Sequence, residues 1–362
     1  MYIRSLRILA LAFALALSAP SASLCERFGP VSSIDHLISA LDRAQDGDVI
    51  LISGEVDCRG ALPITSGVSV QIAAEGHDYA VLCGARLQDA DISFSGVHLA
   101  DSLSIAGSSN VHLDSNVSVY GADAQSALSF SGCGSLIIDA GSQITAGAGG
   151  VGVSISHTGG EFYASLEGSI TGGSGQSGGA GVIVSPLTTG GVMLISGNVR
   201  GGDGTAIGGH AVNLHTLSGN AYVSVDGQLS GGSGMIGGDG LQLVSSGDNA
   251  VIGISGSIRG GDGESYGGDA IMLMNVAGAS VIHLSGEFSG GNSIGPGSQP
   301  GTALVTVGDM TSLRARVDNC LLEDGRRMAG NHSFAQPSVT PLPQIESDSA
   351  EAAILRFPDA AE

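Results

Sequence analysis

The sequence predicts an all-β chain built as a solenoid of stacked parallel coils. Three observations carry that expectation. The motif Gly-x-[apolar]-x-Gly-Gly begins at Gly168, Gly197, Gly227, Gly256 and Gly286, with starts 29, 30, 29 and 30 residues apart. A fixed period of this length marks a repeat architecture. Each period holds short aliphatic runs separated by Gly, Ser, Asn and Asp, with no helical spacing of apolar residues. Finally, the chain has 60 Gly, no Trp and only 4% aromatic residues. Such a composition is poor for an ordinary globular core. It suits small coils that bury their apolar side chains only by stacking, about 4.8 Å apart.

The N-terminus reads as a secretory signal peptide over residues 1–23. Arg4 and Arg7 form its basic start, Ile8 to Leu17 its apolar stretch, and Ser21-Ala22-Ser23 its cleavage site. A lipoprotein signal ending at Cys25 is the alternative. The apolar stretch is too short to span a bilayer, and no later run reaches the length of a transmembrane helix.

The mature part is expected to form a β-helix with an N-terminal cap over 24–330, with the regular repeats at 168–301. Ser32 to Gln45 is the one convincing helix, because Ile34, Leu37, Ile38, Leu41 and Ala44 share a face. Ser32 with Asp35 has capping-box spacing, and Gly47 is the expected stop. Strands follow at Asp48–Ile52, Gly67–Ile72, Tyr79–Leu82 and Asp91–Leu99. Less regular coils run from Leu103 to Ser165. In the fourth repeat, Ile258, Ala270–Met274 and Ser280–Leu284 are strands, and Gly260–Gly268 is a loop. Leu304–Val307 and Leu313–Val317 read as the last strands. Beyond them, 331–362 reads as a Pro-containing tail or cap, with Pro337, Pro341 and Pro343 in a linker.

The helix, followed by Ala44-Gln-Asp-Gly-Asp-Val-Ile-Leu51 and stacked short strands, resembles the start of pectin-lyase-like proteins. This resemblance implies a right-handed parallel β-helix whose open end is plugged by an amphipathic helix. It covers roughly residues 30 to 320 and speaks for fold rather than chemistry. Enzymes of that superfamily usually act on acidic polysaccharides, but their motifs are missing here. There is no Asp-Asp pair followed by Gly-His-Gly, and no Arg-x-Pro-x-x-Arg.

Composition narrows the partners. Thirty-four acidic against 13 basic residues leave a net charge of −21. That disfavours nucleic acid and anionic lipid surfaces. Five Cys, with no Cys-x-x-Cys pair, argue against zinc. Cys58 and Cys83 lie 25 residues apart, about one coil, and are spaced to form a disulfide between adjacent coils.

Aligned repeats place residues in columns. One column reads Ser174, Asp203, Ser233, Asp262, Asn292; another reads Thr171, Arg200, Ser230, Arg259, Ser289. Local pairs Arg200–Asp203 and Arg259–Asp262 are expected. A third column, Ala180, His210, Asp239, Asp269, is the sharpest cluster. Two carboxylates one coil apart share a proton, hold a cation or turn into solvent. No cofactor is required by the sequence, but Ca²⁺ or another cation would suit these residues, with Asp203, Asp239, Asp262 and Asp269 as candidate Ca²⁺ ligands. Asp239, Asp269 and His210 are also the catalytic candidates, at a separation that a retaining glycosidase would use. Gly175-Gln-Ser-Gly-Gly179 fits Gly-x-Ser-x-Gly, but a strand follows it where a nucleophile elbow needs a helix.

The leading functional expectation is an exported, non-catalytic solenoid, secreted, periplasmic or on the cell surface. Its repetitive face would bind glycan or another cell-surface polymer, as an adhesin does. A divergent polysaccharide lyase or glycoside hydrolase is the first alternative, and a structural spacer or matrix component the second. Open solenoid ends also make a homo-oligomer conceivable.

Overall fold

The structure is a computed structural model that describes residues 26–57, 62–65, 67–76, 80–157, 159–247, 249–276, 280–308, 314–322 and 327–333. The expected signal peptide, Cys58 and the tail beyond Ser333 lie outside these residues. The described residues form a parallel β-solenoid with one short helix. Each coil lays down three strands, and each strand pairs in parallel with its counterpart on the next coil.

The coil that starts at Gly191 shows the plan. Gly191–Ile195 forms the first face. The chain turns at Gly197, and Asn198–Arg200 forms the second face. It then projects outward through Gly204–Ile207, returns, and forms the third face with Val212–Leu214. Inward residues stack in register. On the first face Ile50, Ile72, Phe94, Leu113 and Ile138 lead into Leu166, Ile195, Val225, Ile254 and Leu284. All ten are buried. Each such side chain contributes about 1.5–3 kcal/mol when fully buried, which no single coil could secure alone.

The helix spans Ile34–Leu41, shorter than expected. Its N-cap is Ser33 rather than Ser32. Ser33 holds the extended backbone a cap requires, and its Oγ accepts from the His36 N–H at 3.4 Å. Leu37 and Ala40 are buried beneath it, whereas Ile38 is exposed. Gly47 does not end the helix; its φ of 88° turns the chain into Asp48–Ile52. The buried Asp48 carboxylate accepts from the N–H groups of Glu26 and Gln45, both at 2.7 Å. It thereby ties the helix exit to the first strand, Arg27–Val31, which the sequence reading missed.

At the other end, Arg314–Leu322 runs antiparallel to Arg327–Ser333. Cys83 is disulfide-bonded, and Cys133 is a half-buried free thiol. No helix among the described residues is long and apolar enough to cross a membrane.

The main departure from expectation is the Gly-rich segment. It is not an irregular loop. Gly175–Ser177, Gly204–Ile207, Gly234–Ile236 and Gly263–Tyr266 form a separate four-stranded parallel sheet that projects from the solenoid. Its neck is a zigzag of glycine backbone. Gly202 N–H donates to Gly179 O, Gly209 to Gly202, Gly232 to Gly209 and Gly238 to Gly232, each at 2.8 Å. The same path continues through Gly261, Gly268, Gly291 and Gly301. A Cβ on Gly232 would overlap the Gly202 carbonyl. Gly202 belongs to the same limb one coil earlier; a Cβ on Gly231 would overlap the Gly238 carbonyl of the facing limb, so glycine is required both between coils and between limbs.

Gly232→Ala should therefore destabilise the fold by about 3 kcal/mol, the upper end of what overpacking costs. Gly253 lies mid-strand, and an added Cβ meets nothing nearer than 3.8 Å. Gly253→Ala should be neutral or mildly stabilising. Urea unfolding of the two variants checks the contrast.

Candidate functional site

The solenoid brings His210, Asp239 and Asp269 together, one per coil, at the start of the third face. One acceptor atom of each is already engaged. Asp269 N–H donates to Asp239 Oδ1 at 2.9 Å. Thr302 donates to Asp269 Oδ1 twice, from its N–H at 2.8 Å and its hydroxyl at 2.9 Å. The Asp239 N–H donates to His210 Nδ1 at 3.0 Å. The column is thus a ladder in which each side chain accepts the backbone amide of the next coil. The three fates considered for paired carboxylates omitted this one.

His210 Nδ1 also lies 3.3 Å from Asp239 Oδ2. One nitrogen cannot accept from the amide and donate to the carboxylate at once. The shorter contact assigns the lone pair to the amide, so the proton of neutral His210 sits on Nε2. In that tautomer the second contact is not an ion pair.

Asp203 and Asp262 stand on the other limb of the projecting loop. Arg200 Nη2 reaches Asp203 Oδ2 at 2.7 Å, and Arg259 Nη2 reaches Asp262 Oδ1 at 2.6 Å, so the expected local pairs form. Each carboxylate also spans to the next coil. Asp203 Oδ1 accepts from Ser233 N–H and Oγ, at 2.8 and 2.7 Å, and Asp262 Oδ1 from Asn292 N–H at 2.8 Å. The four candidate calcium ligands are therefore split between two columns. Among the described residues, no three His, Cys, Asp or Glu stand close enough to hold a metal ion.

Asp239, with 8% of its side chain exposed, is largely withdrawn from solvent. At Asp269, burial pushes the carboxyl above its ordinary value; the Thr302 bonds oppose this, and the Asp239 charge adds to it. At Asp203, burial also acts upward. The Ser233 bonds and the Arg200 guanidinium outweigh it, and the net shift is downward.

A different feature is a depression open to solvent. A groove of about 490 Å³ runs along the corner between the first and second faces. Gly227, Gly256 and Gly286 line its floor, and Asn198, Gln228, Ser257 and Glu287 stand in register along one side. Ser196 and Asp226 precede the corner on the other side. The glycines are required twice over. A Cβ at Gly286 would overlap the Gly256 carbonyl, and side chains there would fill the groove. Sequence reasoning passed over this site, although polar residues flank the corner glycine in every repeat.

The projecting sheet carries a contrasting surface. Ile207, Ile236 and Tyr266 align across it, with Met235 and Ile294 nearby, all exposed. Apart from the Tyr266 hydroxyl, these side chains are apolar, unlike those that line the groove.

No known protein family matches the sequence, and neither does any curated protein. Among solved structures, the fold is similar to that of a mutant of the PL6 family alginate lyase AlyGC. The TM-score is 0.43 at 11% identity, over 86% of this chain and 52% of that one. The chain thus spans about half the length of that enzyme, and the likeness is one of fold.

The two shifted carboxyls pull stability in opposite directions. The contribution of Asp269, whose pKa is raised, is complete below the ordinary value of 3.8 and is lost as pH rises through its folded value. That of Asp203, whose pKa is lowered, is present above 3.8 and is lost as pH falls through its folded value. In urea unfolding at stepped pH, Asp269→Asn should remove a gain that develops between neutral pH and 3.8. Asp203→Asn should remove a loss that sets in below 3.8. Unchanged pH slopes in both variants would contradict the assignment.

Proposed function

We propose that this chain is an exported, right-handed, non-catalytic solenoid that binds a polysaccharide along its corner groove. The observation that carries this reading is the groove itself. Its amides and hydroxyls repeat once per coil at about 4.8 Å. An extended chain of β-1,4-linked pyranoses advances by close to the same distance per ring. Asn198, Gln228 and Ser257 can each donate to and accept from sugar hydroxyls, so successive rings would meet equivalent groups. The rigid coils hold these groups in place before binding, which lowers the ordering cost.

The competing enzymatic reading would place its acid and base among Asp239, Asp269 and His210. The ladder argues against it, because these groups spend acceptor capacity on backbone amides.

The test is to titrate the protein against soluble neutral, amino and acidic polysaccharides while measuring new chain ends in the same samples. The reading predicts binding without new ends. Gln228→Ala should weaken that binding up to about tenfold, the worth of one or two hydrogen bonds, with no change in melting temperature. New chain ends, or binding indifferent to Gln228 and Asn198, would overturn it.

A further inference from the structure

The charge of the groove narrows its ligand. Asp226 stands at one wall and Glu287 at the far end of the opposite row, with uncharged Gln228 and Ser257 along the stretch between them and Ser196 and Asn198 one coil beyond Asp226. Among the described residues, no Lys, Arg or His lines the groove. Two cations lie on the same face, Arg200 and Arg259, two residues along from Asn198 and Ser257. Each is neutralised by an Asp three positions on, at 2.7 and 2.6 Å. Asp226 is further anchored by the Ser255 hydroxyl, which donates to its Oδ1 at 2.9 Å. That bond holds the carboxylate on the groove wall.

A negative field therefore runs along the groove. A uronate or sulfated polymer would set anion against anion at two points, and such juxtapositions cost affinity. A neutral polymer would gain only the hydrogen bonds. A polymer with an ammonium group on its rings would gain both. Asp226 and Glu287 lie about two coils apart, about 10 Å along the axis, so one bound stretch of a few rings can bring amines within reach of both carboxylates.

We infer that the groove selects a polysaccharide of amino sugars bearing free amines, with Asp226 and Glu287 as its specificity-determining residues. This rests on the proposal that the groove binds a glycan. It adds that the ligand is cationic.

A polycation adheres to any protein of this net charge, so the test must separate the groove from the bulk. Short soluble β-1,4-glucosamine oligomers, their fully N-acetylated counterparts and oligogalacturonate are titrated calorimetrically against the full chain. The same titrations are run on Asp226→Asn/Glu287→Gln and on a control, Glu55→Gln/Glu75→Gln, which removes the same charge elsewhere. The expected result is at least tenfold tighter binding of the free-amine oligomer than of its acetylated form. The groove variant should abolish that preference while keeping the acetylated binding, and the control should leave both unchanged. Equal affinity for both forms, tighter binding of the galacturonate, or equal losses in the two variants would overturn the inference yet leave a glycan-binding groove standing. No binding of any oligomer would overturn both.

Discussion

The glycine-to-glycine contact at the neck of the projecting loop is the constraint on which the rest of this structure depends. Every coil in the repeat region must leave the second face, run outward and return to the third face without prising the solenoid open. It does so by closing the two limbs backbone against backbone, with Gly209 donating to Gly202 and Gly232 donating across to Gly209. Side chains would hold the limbs apart. Their absence lets one unbroken path of amide hydrogen bonds run along the axis beside the three strand columns. The corner glycines make a second close approach of the same kind. The high glycine content is thus a packing requirement, with the interior left to Ile, Leu and Val.

Aspartate has a comparable role. Asp46, Asp89, Asp123, Asp203, Asp239, Asp262 and Asp269 each accept the backbone N–H of a residue on the next coil. Where the chain turns and the strand ladder lapses, a carboxylate supplies the missing acceptor. Much of the acidity that suggests a cation or catalytic site is, on this account, the fold satisfying its own amides. What remains for function is the corner, where polar side chains line an open groove.

The architecture was legible in the sequence because its signal is periodic. Repeats of 29 and 30 residues, three apolar runs per repeat and an amphipathic helix at the start are all statements about spacing. Register was harder. That Asp239 reaches the amide of Asp269 follows only once the coils are superposed, and composition does not reveal which side-chain atom faces which backbone group. The segment Gly260–Gly268 looked like a loop because its glycines carry no strand propensity. It contains a strand because neighbouring copies lie in register beside it. Arg27–Val31 was missed because Gly29-Pro30 inside it reads as a break. The groove escaped notice because glycine was read as a turn residue and not as a floor.

Native-state hydrogen exchange of the neck amides tests this account most directly. If the glycine zigzag closes the coil, the amides of Gly202, Gly209, Gly232 and Gly238 should exchange as slowly as those of Val223 and Val225 on the first face. They would then open only with the solenoid itself. Exchange of the four glycines at surface-loop rates, while the strand amides stay protected, would contradict it.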